Sequence, residues 1–321
     1  MHMKHQILVP EVVAESGLNL LQEHGLQIKQ TSSIRKEDLI ADLKDCDGVI
    51  MRVARLDADV LSANPQLKVI GKHGVGVDSI DLDYCRTHGI VVVNTPHANS
   101  LSVAEHAITL MLACAKQINY KSACYRSEDY GVKDRMLGNE VTGKVLGLIG
   151  FGNIGSRVAS IATGGFGMSV VAYDPFLPQG KREDGVLVVH DIREVYEQAD
   201  FISIHTPATK ETIKSVGAQQ FAWMKPTAYL INTSRGAVVD EQALIQALQE
   251  GQLAGAGLDV SDSEPARGDN PLHSMDNVIM TPHCAGATYD SMDHMSKDVA
   301  RGLIEVFNGQ KPTWPVVWPE Q

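Results

Sequence analysis

Short apolar runs alternate with amphipathic stretches from the start of the chain. Residues 7–9, 26–29, 48–51, 68–70 and 90–93 read as strands, and 15–24, 36–43, 57–63 and 82–87 as the helices between them. Most of these runs are apolar throughout rather than alternating, as strands covered on both faces by helices should be. Five strands and four helices make a complete open parallel α/β sheet. Residues 99–126 read as one long helix, with Asn99, Ser100 or Ser102 as its cap and Glu105 in the first turn. Its apolar face carries Val103, Ala107, Leu110, Met111, Cys114 and Ile118, which suits either an ordinary core helix or one that covers a partner subunit. Strands recur at 145–149, 169–173, 201–204, 228–231, 254–258 and 278–280, with helices at 153–163, 191–198, 217–223 and 240–250. That is a second doubly wound sheet. A last helix over 289–307 ends at Asn308-Gly309. The tail over 311–319 is too rich in proline for a helix, and is expected to pack back on the first sheet.

The second sheet opens with the most informative stretch, in which the run Val145-Leu-Gly-Leu-Ile149 leads into Gly150-Phe-Gly152-Asn153-Ile154-Gly155. Gly150 permits a tight turn, Gly152 lets a pyrophosphate approach the backbone, and Gly155 lets the following helix pack on the strand. The helix N-terminus then offers free N–H groups and the positive end of its dipole to the phosphates. Asp174 closes the next strand, 174 − 155 = 19 positions after the last glycine. An acid at that offset accepts hydrogen bonds from an adenosine ribose and repels a 2′-phosphate, so the cofactor is read as NAD rather than NADP.

In a doubly wound sheet the ligand lies beyond the carboxyl ends of the strands, so residues just after each strand carry the chemistry. These are His205-Thr206-Pro207, Asn232-Thr233-Ser234-Arg235-Gly236, Asp259 with Glu264-Pro265, and Thr281-Pro-His283. Hydride transfer to a carbonyl needs a proton donor beside the oxygen and a cation to fix the substrate. Arg235, Glu264 and His283 fill these roles, the carboxylate holding the orientation of the histidine ring. His205 has an equal positional claim but no evident carboxylate partner, and is read as packing under the cofactor. No histidine shows metal-ligand spacing, and no metal is expected.

The 321 residues suffice for one large or two ordinary cores, and 44% hydrophobic content is that of a globular protein. A net charge of −11 argues against nucleic acid or an anionic membrane as a partner. No apolar stretch approaches the roughly 20 residues of a membrane span, and the N-terminus lacks a signal-peptide pattern. Five cysteines without a C-x-x-C pair suit reduced thiols, so the protein is expected in the cytoplasm.

Over nearly its whole length the chain resembles the D-isomer-specific 2-hydroxyacid dehydrogenases. Three stretches carry the likeness: 150–155 with Asp174; 199–207 with Thr212; and Lys225-Pro226 through Asn232-Thr-Ser-Arg235-Gly236 to Val239-Asp240. Gly257-Leu-Asp259-Val, Glu264-Pro265 and Pro282-His283 complete it. The resemblance implies a Rossmann nucleotide-binding domain, residues 100–289, inserted in a flavodoxin-like substrate domain, residues 1–99 plus 290–321, with ligand in the cleft. It implies that Arg235 binds the substrate carboxylate and carbonyl, that His283 is the acid/base and that Glu264 pairs with it. Asp259 would hold the nicotinamide carboxamide. Thr233 and Ser234 join Gly150, Gly152, Asn153, Ile154, Gly155, Asp174, His205, Thr206, Pro207 and Thr212 as cofactor-binding candidates. Backbone N–H groups around Val75 and Gly76 would face the substrate carboxylate. A homodimer through the nucleotide domain is also implied.

Substrate choice stays open. Arg52, Arg55 and Lys72 follow or adjoin strands of the first sheet, as ordinary surface cations or as a site for a second anionic group such as a phosphate. Phosphoglycerate-like and glycerate- or hydroxypyruvate-like readings both stand. The chain ends soon after its closing helix, so no serine-responsive regulatory domain is expected. A rival from another class is an NAD-sensing, corepressor-like protein of the same fold. A vestigial protein with bound NAD is a third. Glu rather than an amide at 264 disfavours a formate oxidiser and leaves a phosphite oxidiser open.

Overall fold

The computed structural model describes residues 5–319. In chain order the elements are β1 (Gln6–Val9), α1 (Glu15–Glu23), β2 (Gln27–Gln30), α2 (Lys36–Leu43), β3 (Gly48–Met51), α3 (Ala58–Ser62), β4 (Val69–Lys72), α4 (Leu82–His88) and β5 (Val91–Val93). There follow α5 (Ser100–Lys116), α6 (Ile118–Arg126), α7 (Val132–Arg135), β6 (Val145–Ile149), α8 (Asn153–Phe166), β7 (Ser169–Tyr173), β8 (Gly180–Lys181), β9 (Leu187–Val189), α9 (Ile192–Gln198) and β10 (Phe201–Ile204). The last are α10 (Ala218–Trp223), β11 (Tyr229–Asn232), α11 (Glu241–Gln249), β12 (Gly255–Leu258), β13 (Val278–Met280), α12 (Tyr289–Phe307) and β14 (Pro315–Val317). They form two compact units, one of Met1–Asn99 with Gly286–Gln321 and the other of Ser100–Ala285.

In the first unit the sheet order is β14-β5-β4-β3-β1-β2, all parallel except β14. Its five parallel strands thus run 2-1-3-4-5, the flavodoxin-like order. Successive side chains go to opposite faces, and both faces are covered. Ile7, Val9, Ile50, Val69 and Val93 pack with Val299, Ala300 and Leu303 of α12, whereas Leu8, Val49, Met51, Ile70 and Val92 pack with Leu39, Leu43, Leu61 and Cys85. The proline-rich tail does return to this sheet, where β14 adds an antiparallel edge beside β5.

The second unit has the sheet order β13-β12-β11-β10-β6-β7-β9-β8, in which only β8 is antiparallel. From β9 through β7, β6, β10 and β11 to β12 the order is that of a Rossmann sheet. Helices α5 and α8 bury Ala104, Leu110, Val158 and Ala162 against one face, while α9, α10 and α11 bury Val195, Phe221 and Leu244 against the other.

Two features differ from the sequence reading. The helix expected over 99–126 is broken at Gln117, whose φ of 54° is left-handed. The helical ladder stops there because Asn139 N–H takes the Ala115 carbonyl at 2.7 Å. Strands β8 and β9 were not anticipated between β7 and α9. They have two and three residues, too short for a pattern, and are registered by pairing of Lys181 with Leu187 and of Val171 with Leu187.

Candidate active site

Strand β6 lies between β7 and β10, and the chain proceeds first to one side and then to the other. Its carboxyl end is therefore the topological switch point of the sheet, where open α/β folds bind ligands. Gly150 turns there with φ 93°, and a Cβ on Gly155 would lie 2.4 Å from the Gly150 carbonyl oxygen, so the start of α8 sits directly on the turn. Gly152 is the N-cap of α8 and has no side chain to take a first-turn N–H; a Cβ there would meet nothing within 4 Å. Asn153, Ile154 and Gly155 thus begin a helix whose N-terminus is open to an anion. Asp174 is tied to the same turn, accepting from Phe151 N at 3.0 Å through one oxygen and from Phe176 N at 3.0 Å through the other.

Beyond β10 and β11, His205 Nδ1, Thr206 Oγ1 and Thr233 Oγ1 are buried with no hydrogen-bond partner among the described residues. Each such group costs about 1–3 kcal/mol unless something satisfies it, so these positions fit a bound polar ligand. His205 Nε2 is already engaged with Ser203 Oγ at 2.9 Å, and burial lowers its pKa to about 4, so the ring is neutral at pH 7. Thr212 braces its own loop, donating to the Pro207 carbonyl at 2.5 Å and accepting from Thr209 N at 2.7 Å, while Pro207 itself is exposed. Open helix, glycine turn, acid and orphaned hydroxyls together fit a dinucleotide.

The acid/base candidates follow β11, β12 and β13, three neighbouring strands. Asn232 is buried, accepts from Ser234 N and Oγ at 3.0 and 2.9 Å, and donates to the Arg235 carbonyl at 3.0 Å, which fixes the turn that carries Arg235. The Arg235 guanidinium donates to the Ser234 carbonyl at 2.7 Å. His283 Nδ1 lies 2.7 Å from Glu264 Oε2, with side chains 44% and 41% exposed, so the pair is open to a ligand. A carboxylate only accepts, which puts the proton on Nδ1 and leaves Nε2 as the ring's reactive nitrogen. The backbone of His283 is left-handed, φ 49°, a state that costs a non-glycine residue roughly 1–2 kcal/mol. Its N–H donates to the Asp259 and Thr281 carbonyls at 2.8 and 3.0 Å, and these bonds hold it there. Glu241, not singled out in the sequence, accepts from Asp262 N and from Asn270 Nδ2 and so pins both ends of the loop that bears Glu264.

Asp259 is fully buried. One oxygen accepts from Thr281 Oγ1 at 2.6 Å and Cys284 N at 2.9 Å, the other from Ala285 N at 2.8 Å, and His106 Nε2 approaches at 3.4 Å. Burial alone would push the carboxyl up, but these donors outweigh it and hold it below the usual carboxylate range. The carboxylate implied for a nicotinamide carboxamide is turned inward here, where it organises the turn that presents His283.

In the first unit, Lys72 is buried and its amine donates to the Arg52 carbonyl, while the Arg52 guanidinium donates to the Val12 carbonyl at 3.1 Å. Glu11 accepts from the N–H groups of Arg52, Val53 and Ala54. Arg55 is exposed. Gly74 takes φ 143°, Val75 is 37% exposed and Gly76 half-buried. The carbonyls of Gly74 and Val75 are taken by Thr95 N and Asn94 Nδ2, at 3.0 and 2.9 Å.

Residues 108–285 match the family model described as D-isomer specific 2-hydroxyacid dehydrogenase, NAD binding domain. The cofactor of this domain is accordingly NAD. Over 307 residues the chain is 40% identical to a D-3-phosphoglycerate dehydrogenase of Methanocaldococcus jannaschii, covering 95% of this chain and 58% of that one. The chain thus spans little more than half the length of that relative. It is 38% identical over 317 residues to a glyoxylate reductase of Korarchaeum cryptofilum, covering 97% of this chain and 95% of that one. The crystal structure of the TT0316 protein from Thermus thermophilus superposes with a TM-score of 0.90 at 34% identity, covering 97% and 100% of the two chains. With its glycine turn, its histidine–glutamate pair and these matches along almost all its length, the chain belongs to the D-isomer-specific 2-hydroxyacid dehydrogenase family.

Proposed function

We propose that the protein interconverts a small D-2-hydroxy acid and its 2-keto acid with NAD as the hydride carrier. The observation that carries this reading is the His283–Glu264 pair, 2.7 Å apart and half-exposed, beyond the carboxyl ends of the strands, the end of the sheet that also bears the glycine turn. When bound, the nicotinamide supplies or accepts the hydride at the substrate's C2. In reduction, protonated His283 gives the Nε2 proton to the carbonyl oxygen; in oxidation, neutral His283 takes the hydroxyl proton at the same atom. Glu264 holds the ring through Nδ1 in both directions. Arg235 binds the substrate carboxylate.

The names of the relatives support 3-phosphoglycerate and glyoxylate as the substrate types to test first. In this chain Lys72 and Arg52 are engaged with backbone carbonyls, which favours a compact keto acid over one with a second anionic group. Exposed apolar side chains of Ile118, Tyr125, Tyr130 and Leu137, which lie on or after α6, support a homodimer formed through the nucleotide-binding unit. Five free cysteines support a cytoplasmic location.

The direct test follows NADH oxidation at saturating glyoxylate, hydroxypyruvate, its phosphate, pyruvate and oxaloacetate. Turnover of one strongly preferred compound is expected. NADH should exceed NADPH by at least about tenfold in kcat/KM, because Asp174 beside a 2′-phosphate is a like-charge contact of order 1–4 kcal/mol. NADH binding without turnover of any of them would overturn the enzymatic reading and favour a sensor.

A further inference from the structure

We propose that His106, Asp259 and Cys284 form a binding site for one zinc-like divalent cation. The three residues come from α5, the end of β12 and the turn after β13, and their ligand atoms all lie within 4.8 Å of one another. His106 Nε2 is 3.4 Å from Asp259 Oδ1, and Cys284 Sγ is 3.6 Å from the same oxygen. Zinc bonds of about 2.0–2.3 Å in tetrahedral geometry require a nitrogen–oxygen separation of about 3.4 Å and an oxygen–sulfur separation of about 3.6 Å. Two edges of the coordination polyhedron are thus already set. Thr281 Oγ1, 2.6 Å from Asp259 Oδ1 and 3.1 Å from His106 Nε2, adjoins the fourth position, which it or a water would fill.

Imidazole, carboxylate and thiolate in one set select zinc or a similar ion over magnesium or calcium, which demand oxygen ligands. The buried carboxylate supplies a charge in a low-dielectric setting, and half-buried His106 and Cys284 leave an approach from solvent. On binding, the Cys284 S–H bond breaks, its proton goes to solvent and the sulfur pair bonds the cation. His106 contributes the Nε2 lone pair, and nothing is oxidised or reduced. The ligands stand at positions 106, 259 and 284, so no local spacing could reveal them. Because Cys284 follows His283 and Asp259 Oδ1 already anchors this turn, the ion would compete with the bonds that present His283 and lower kcat. That consequence rests on the dehydrogenase reading; the binding does not.

The test titrates the full chain with Co²⁺ and records absorption. A sulfur-to-cobalt charge-transfer band should rise to one equivalent and vanish on adding Zn²⁺. Cys284→Ser should abolish the band, and both it and His106→Gln should weaken Zn²⁺ binding at least about tenfold, since even outer-shell changes cost 10–100-fold. No thiolate band in the parent chain, or an undiminished band in Cys284→Ser, would overturn the site. A band in a chain that turns over no keto acid would uphold the site while removing the dehydrogenase reading.

Discussion

At position 236 the absence of a side chain sets the distance between two loops of the site. A Cβ on Gly236 would stand 1.9 Å from the Ser261 carbonyl oxygen and 2.0 Å from its carbon. Both are backbone atoms, so no flexible side-chain end can yield. Gly236→Ala must push the turn that bears Arg235 away from the loop that bears Glu264, and a displacement of about 1 Å can cost on the order of 100-fold in rate. We expect kcat/KM to fall by that order with the circular-dichroism spectrum and NADH affinity retained; kcat/KM within a few-fold of the parent would contradict this packing. Arg235, Glu264 and His283 were legible as candidates, because each lies in a segment that follows a strand, which is a property of the local sequence, and the structure pairs His283 with Glu264. Their braces were not. Glu241 reaches Asp262 and Asn270, 21 and 29 positions on, and His106 meets Thr281 across 175 positions. Such bonds leave no periodic trace. Asn232, adjacent to the turn it fixes, could have been found from the Asn-x-Ser pattern of a side chain bonding the backbone two residues on.

Among elements, the strands buried on both faces announced themselves as continuous apolar runs, and their parallel pairing follows from helices alternating with them, whereas the two different strand orders do not. The long helical stretch that opens the second unit breaks at one residue that periodicity does not mark. Helical residues continue on both sides of Gln117, and only the distant Asn139 N–H, claiming the Ala115 carbonyl, ends the ladder. Periodicity shows where a helix is favourable, not where another segment competes for its carbonyls. Strand β9 is three residues long between a charged stretch and His190, and takes its identity from lying beside β7. The prolines of the tail rightly excluded a helix, yet Pro315 begins an edge strand, a position where a missing N–H is tolerated.

For the molecule as a whole, a buried neutral histidine couples stability to pH. His73 Nε2 lies 2.8 Å from Ser296 Oγ, and burial, reinforced by the charges of Arg52 and Lys72, lowers its pKa to about 4. An unfolded chain protonates this ring near 6.5, so from there down to about 4 the unfolded state holds a proton that the folded state refuses. Stability is therefore full above pH 6.5 and falls as pH drops to 4, by up to about 3 kcal/mol from this group. His205, with the same sign of shift, adds to the decline. His73→Gln, which keeps a hydrogen-bonding side chain, should flatten part of the slope in denaturation midpoint between pH 6.5 and 4. Parallel curves for the two proteins would contradict it. The central claim, that His283 moves the proton in an NAD-dependent reduction, is tested most directly by kcat for His283→Asn with the preferred keto acid. Asparagine tolerates the left-handed backbone at this position, so the substitution removes the acid/base without disturbing the turn. A fall of about 10²–10⁴ in kcat with NADH affinity unchanged is expected; a kcat equal to that of the parent would contradict the account.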